Sequence, residues 1–180
     1  MPEDLDWSAP AISILDTPRL LLRTWTRADE EAARAIYGNA EVMRFLGNGL
    51  PVTNPAEVRD RLIRRMDHQR RHGFTLWAVE EKATGHVVGA CGLKLLEDVG
   101  PEVEVGYHFA REAWGKGYAT EAAAACLRLG FDRLRLARIV GVVDPANFAS
   151  QRVLEKIGLI YEGRGWHYNR ELLRYAAMRP

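Results

Sequence analysis

The stretch that decides the fold is Glu104-Val105-Gly106-Tyr107-His108-Phe109, followed after Ala110-Arg111-Glu112-Ala113 by Trp114-Gly115-Lys116-Gly117-Tyr118-Ala119-Thr120-Glu121-Ala122. Read from Glu102, its first half alternates as a strand does, with Glu102, Glu104 and His108 on one face and Val103, Val105 and Tyr107 on the other. Its second half predicts an alanine-rich helix to about Leu134, with Ala119, Ala123, Leu127 and Phe131 on one stripe. Gly115-Lys116-Gly117 falls between the two. Glycines there let the backbone approach a ligand, the first helical N–H groups lack an intrahelical acceptor, and the helix dipole attracts an anion. With Lys116 and Arg111 beside it, the turn has the makings of a pyrophosphate cradle, although a plain tight turn uses glycine equally well.

Two common phosphate motifs do not fit. Lys116 is followed by Gly117 instead of Ser or Thr, and Thr120 stands where the dinucleotide pattern needs its third glycine. The dinucleotide fingerprint also follows a continuously apolar strand, whereas this one carries Glu102, Glu104 and His108. A nucleotide hydrolase or dinucleotide oxidoreductase is therefore disfavoured.

On the N-terminal side, residues 1–14 mix acids, Pro2, Pro10 and Trp7 without a period and read as a tail, which leaves 15–180 as one domain. Arg19–Trp25 reads as a strand, and Thr26-Arg27-Ala28-Asp29 as the capped, acidic start of a helix to about Tyr37. Gly38–Asn54 reads as broken helix and loop, able to cover a site. An amphipathic helix over Pro55–His72 then carries Val58, Leu62 and Met66 on one stripe, and Phe74–Val79 with His86–Leu93 forms a hairpin around Thr84-Gly85. On the C-terminal side come a strand at Arg138–Val143, a helix from Phe148 to Ile157 stopped by Gly158, and strands around Tyr161–Gly163 and Leu172–Met178.

Lys plus Arg total 25 against 24 Asp plus Glu, so no field of one sign would draw in nucleic acid or an anionic membrane. Neither partner is expected. Cys91 and Cys126 cannot build a disulfide framework or a zinc site, the N-terminal residues lack an apolar leader, and no run of about eighteen apolar residues occurs. A cytoplasmic protein without a metal is the expectation.

Several ordered stretches resemble the GNAT superfamily of N-acetyltransferases, in its RimJ/RimL-like branch. They are Asp16–Arg23, Glu41-Val42-Met43-Arg44-Phe45-Leu46, the central Glu104–Phe109 and Trp114–Ala122, and Asp144-Pro145-Ala146-Asn147-Phe148-Ala149-Ser150 continuing to Gly158. The resemblance covers Leu15–Met178. It implies a mixed α/β (α+β) GNAT fold: a twisted, mostly antiparallel sheet of about seven strands, helices on both faces, and a splay between the fourth and fifth strands. It implies acetyl-CoA as cosubstrate and a primary amine as acceptor, either a protein N-terminus or a small molecule. Dimers are common in that family, which makes a homodimer one expectation.

By the same resemblance, His108, Phe109 and Ala110 supply the pantetheine contacts. Trp114, Gly115, Lys116, Gly117, Tyr118, Ala119 and Thr120 form the phosphate cradle. Asn147 touches the pantetheine and Ser150 meets the departing thiolate, while helix capping is the plainer role for both. Many superfamily members carry a tyrosine acid where this chain has Leu154.

Transfer needs a neutral amine, yet lysine titrates near roughly 10.4 and an α-amine near roughly 7.7–8.0. Glu104 is the candidate base, directly or through water, with Glu102 as the spare and an ordinary strand carboxylate as the plainer alternative. Unpaired amides near Phe109 suit the developing oxyanion. Direct attack in a ternary complex is expected, since Cys91 and Cys126 both read as packed small residues. The alternative is a non-catalytic acetyl-CoA sensor.

Other features read as bland. His68 and His72 lack the glutamate of a metalloprotease motif and read as a solvated helix face. Arg61, Arg64, Arg65, Arg70 and Arg71 form a basic run that could meet an acidic protein or RNA, but Asp60 and Asp67 interrupt it. Trp25, Trp77 and Trp166 read mainly as packing residues, while the Gly163–Asn169 segment reads as an exposed loop bordering the acceptor cleft.

Overall fold

The computed structural model describes residues 9–180. Trp7 and most of the expected tail lie outside the described residues. The remaining chain forms strands β1 (Ser13–Asp16), β2 (Leu20–Arg23), β3 (Leu76–Glu81), β4 (His86–Leu95), β5 (Val103–Phe109), β6 (Arg138–Val143), β7 (Ile160–His167) and β8 (Arg170–Met178). Its α-helices are α1 (Glu30–Tyr37), α2 (Ala40–Met43), α3 (Pro55–His72), α4 (Tyr118–Asp132) and α5 (Phe148–Lys156). One sheet runs β1-β2-β3-β4-β5-β6-β8-β7, antiparallel throughout except for the parallel neighbours β5 and β6.

The described residues form eight strands instead of about seven, because the tail boundary at residue 14 falls inside β1. Leu15 pairs with Leu22, and the Thr24 N–H donates to the Ile12 carbonyl. Edge pairing is made by backbone groups, so it needs no side-chain period. Gly163–His167 is likewise strand and not loop: His167 pairs with Arg170 across the turn residues Tyr168 and Asn169, both at positive φ, and Trp166 stands exposed on it instead of packing.

Local chemistry explains the helices. The Thr26 and Asp29 side chains form a reciprocal capping box ahead of α1. Asn54 caps α3 through Ala56 N–H, Pro55 opens it, and Gly73 closes it in the left-handed conformation at φ 79°.

Strand alternation divides the core between the two sheet faces. Trp77, Val79, Cys91, Leu93, Val103 and Val105 pack with Ala122, Ala123, Cys126 and Leu127 of α4. Ala78 and Ala90 face the other way, against Tyr37 of α1 and Val58 and Leu62 of α3. The two thiols, far apart in sequence, meet at 3.8 Å between β4 and α4, where burial pushes Cys91 well up and keeps it unreactive. His68 is a tie and not a solvated residue: Nδ1 lies 2.6 Å from the Phe74 carbonyl and Nε2 accepts from Leu95 N–H at 3.4 Å. No helix among the described residues is long and apolar enough to cross a membrane.

Candidate active site

The sheet opens between β5 and β6, whose ladder is reduced to a single pair, Glu104 with Val140. The resemblance implies a splay between the fourth and fifth strands; the additional β1 shifts the count by one. Its consequences follow from register. Leu96 N–H donates to Glu102 and Ala110 N–H to Val88, so even-numbered residues of β5 spend their backbone groups on the β4 side. The N–H and C=O of Tyr107 and Phe109 therefore face the opening. Phe109 C=O receives the Trp114 indole N–H at 2.8 Å, which anchors the half-exposed Trp114 at the rim with the Arg111 guanidinium 4.7 Å over its ring. Of the expected pantetheine contacts, Phe109 offers its amide to the opening, while Ala110 N–H is already bonded and the His108 side chain turns to the far face.

Beyond the splay lies the glycine turn. Gly115 and Gly117 adopt φ 76° and 80°, which only glycine takes without strain. A side chain at Gly115 would meet nothing within 4 Å, and α4 begins at Tyr118 with no side-chain cap. The N–H groups of Tyr118, Ala119 and Thr120 are thus left as orphan donors at the positive end of a 15-residue helix. Lys116 stands exposed beside them, 3.8 Å from Glu81. Arg19 clamps the turn from behind by donating to the Lys116 carbonyl and pairing with Glu121 at 2.7 Å. The arrangement fits a pyrophosphate.

On the α4 and α5 side of the opening, Asn147 does cap α5, its Oδ1 accepting Ser150 N–H at 3.2 Å. Ser150 has a partner that the sequence did not suggest. The Tyr107 hydroxyl lies 3.0 Å from both the Ser150 carbonyl and Ser150 Oγ. Burial pushes Tyr107 far up, so it stays protonated and remains a donor. Leu154 is buried against Gly141 below this pair.

On the opposite side sits Glu104, 6% exposed. Its Oε1 lies 3.4 Å from Lys94 Nζ, and Oε2 has no hydrogen-bond partner among the described residues. Burial raises its carboxyl above the usual range by more than the nearby Lys94 lowers it. Lys94 is itself held charged: burial works against its ammonium, and Glu104 with Tyr168 outweighs that. The Lys94 ammonium lies 4.7 Å over the Tyr168 ring, and burial pushes the phenol up to about 12. Glu102, the spare base, is instead tied to Arg174 and Arg138.

One cleft of about 250 Å³ joins the two sides, lined by Glu104, Gly106, His108, Asn147 and Ser150 together with Arg61 and Arg65 of α3. The sequence does not single out Lys94, and it marks Tyr168 only as part of the segment expected to border the acceptor cleft; both places depend on pairings between distant segments. His108 contacts Tyr37 at 2.8 Å, and burial beside Arg65 and Arg61 drives its pKa well down, so it is neutral. Among the described residues no group of three potential ligands gathers for a metal.

The chain was compared with known proteins. The Acetyltransferase (GNAT) domain family matches residues 19–160. An uncharacterized N-acetyltransferase, YoaA of Bacillus subtilis, is 35% identical across 83% of this chain and 84% of its own. A GNAT-family acetyltransferase structure from Bacillus anthracis superposes with a TM-score of 0.78 at 28% identity, over 92% of this chain and 98% of the other. At 18% identity the fold alone is shared with RimL, a ribosomal L7/L12 alpha-N-protein acetyltransferase solved with coenzyme A, at a TM-score of 0.78 over 93% and 98% of the two chains. The family match spans the strands and helices that form the opening, and relatives align over most of both chains: this protein belongs to the GNAT family and is an N-acetyltransferase.

Proposed function

We propose that this enzyme, a member of the RimJ/RimL-like branch, moves an acetyl group from acetyl-CoA to a primary amine by direct attack within a ternary complex. The observation that carries the reading is the single-pair junction of β5 and β6, flanked by Ser150 on one sheet face and Glu104 on the other. Acetyl-CoA would enter from the α4–α5 side, its pyrophosphate on the amides of Gly115–Thr120 and its pantetheine against Phe109 and Asn147. The acceptor would enter from the α1–α3 side.

Each residue then has a chemical task. Glu104 Oε2 takes the amine proton, directly or through water, and its raised pKa brings it closer to a working base than an exposed carboxylate would be. Backbone N–H groups in the opening receive the oxyanion. Ser150 Oγ donates toward the leaving thiolate while Tyr107 holds that hydroxyl in place and takes over the orientation that a tyrosine at position 154 cannot provide.

Thiol release from acetyl-CoA with α-amine peptides, lysine peptides, polyamines and aminoglycosides tests this, with Glu104→Gln and Ser150→Ala as controls. Turnover sharply reduced, but still measurable, in either variant is the expected result. Tight acetyl-CoA binding without turnover of any amine would instead support a sensor.

A further inference from the structure

The cleft carries more positive charge than its own carboxylates answer. Of its lining cations, Lys94 faces Glu104 at 3.4 Å, and Arg170 lies 3.4 Å from Asp144 while donating to the Phe45 carbonyl. Arg61 and Arg65 have no ion pair among the described residues. Their neighbours on α3 do: Arg59 binds Glu30 at 2.8 Å, and Arg70 and Arg71 bind Asp67 at 3.0 and 2.6 Å. One helix thus sends Arg59, Arg70 and Arg71 to carboxylates and turns Arg61 and Arg65 into the cleft without any.

Their setting is built. Arg65 lies over the rings of Trp25 and Tyr37 at 5.5 and 5.3 Å, and Arg61 lies 5.6 Å from the Tyr37 ring centroid. Stacking of this kind fixes a guanidinium plane and leaves its N–H fork to bind something else. Arg65 Nη1 is fully buried with no hydrogen-bond partner among the described residues. A guanidinium cannot shed its charge, so an unanswered one in a cleft is costly unless a ligand completes it. His108, neutral and beside them, adds no charge of either sign.

We infer that the acceptor is a primary amine bearing an anionic group, a carboxylate or phosphate, which Arg61 and Arg65 grip while the amine faces Glu104. The inference rests on the acetyl-transfer reading above and narrows it: polycationic amines are rejected, because the arginines repel them and stay unanswered. A free amino acid or amine phosphate and the N-terminus of an acidic peptide present the same chemistry.

Matched acceptors separate these sources. With the full chain and acetyl-CoA, kcat/KM is measured by thiol release for an amino acid and its amide, phosphoethanolamine and ethanolamine, a peptide beginning Ser-Glu-Glu and one beginning Ser-Gln-Gln, and spermidine. Completing a charged hydrogen bond gives the anionic member of at least one pair an advantage of about ten- to a hundredfold. Arg65→Gln and Arg61→Gln should each shrink that ratio toward one, and Arg65→Lys should keep part of it. The acetyl-CoA dissociation constant should not change in any of them, which shows that the fold and cradle persist. Equal rates within every pair, a preference for spermidine, or a ratio untouched in both glutamine variants overturns the inference and leaves the transferase reading standing. If no amine turns over, the same pairs are titrated calorimetrically against the coenzyme A complex. Anion-selective binding lost in Arg65→Gln then sustains the inference while the transferase reading fails, and indifferent binding overturns both.

Discussion

Replacing Tyr107 by phenylalanine removes one hydroxyl and leaves the ring in the core. That hydroxyl lies 3.0 Å from two oxygens of Ser150, so the change removes a buried hydrogen bond and frees the serine side chain to rotate. A lost hydrogen bond of this kind costs about 1 kcal/mol of stability, which lowers Tm by about 2–4 °C in a chain of this length. The larger effect falls on turnover. If Ser150 must be aimed at the leaving sulfur, loss of its anchor reduces kcat about ten- to a hundredfold, or about 1.4–2.7 kcal/mol of barrier, with KM for acetyl-CoA changed by less than about twofold. The decisive assay is a double-mutant cycle in thiol release. Because Tyr107 acts through Ser150, Tyr107→Phe added to Ser150→Ala should cost nothing further in kcat. Independent, multiplying losses would refute the reasoning, as would a Tyr107→Phe enzyme with lowered Tm and unchanged kcat.

Glu104→Gln should abolish the acid limb of the pH–rate profile; in the parent enzyme that limb should lie above the usual carboxylate range, because burial raises Glu104 and the reactive form is the anion. An identical limb in the variant would assign it to another group. Gly117→Ala places a Cβ at φ 80°, about 1 kcal/mol or more of backbone strain, yet 3.5 Å from the nearest atom, an Arg19 nitrogen. It should fold with a Tm lower by a few degrees and bind acetyl-CoA about tenfold more weakly by calorimetry, as the loop amides turn away. His108 is held neutral by burial beside Arg65 and Arg61, so its folded pKa is depressed and its contribution to stability is present above the unfolded pKa, about 6.5. As pH falls below that value the unfolded chain binds the extra proton, and stability should drop by up to about 1.4 kcal/mol per pH unit. Urea titrations at pH 7 and 5 should show this loss in the parent and a smaller one in His108→Gln.

The sequence alone determined the elements whose signals are local. The Gly115–Gly117 turn before α4, the Asn54–Pro55 start and Gly73 stop of α3, and the alternation of β5 are each written within a few neighbouring residues, where capping, backbone freedom and side-chain period act. The resemblance carried by Glu104–Phe109 and Trp114–Ala122 added the splay and the family. What the tertiary structure decided is everything that depends on register or on which face a helix turns inward. Edge strand β1 is held by backbone pairing with β2 and shows no period. Lys94 meets Glu104 because β4 and β5 pair them, Tyr107 reaches Ser150 because α5 folds back across the opening, and the two cysteines touch across β4 and α4. As a string of residues, the basic run of α3 does not show which of its arginines face the cleft. Arg70 and Arg71 meet Asp67 through local i+3 and i+4 spacing on the helix, but only the packing of α3 turns Arg61 and Arg65 into the cleft, because the sheet beneath selects which helix face points inward.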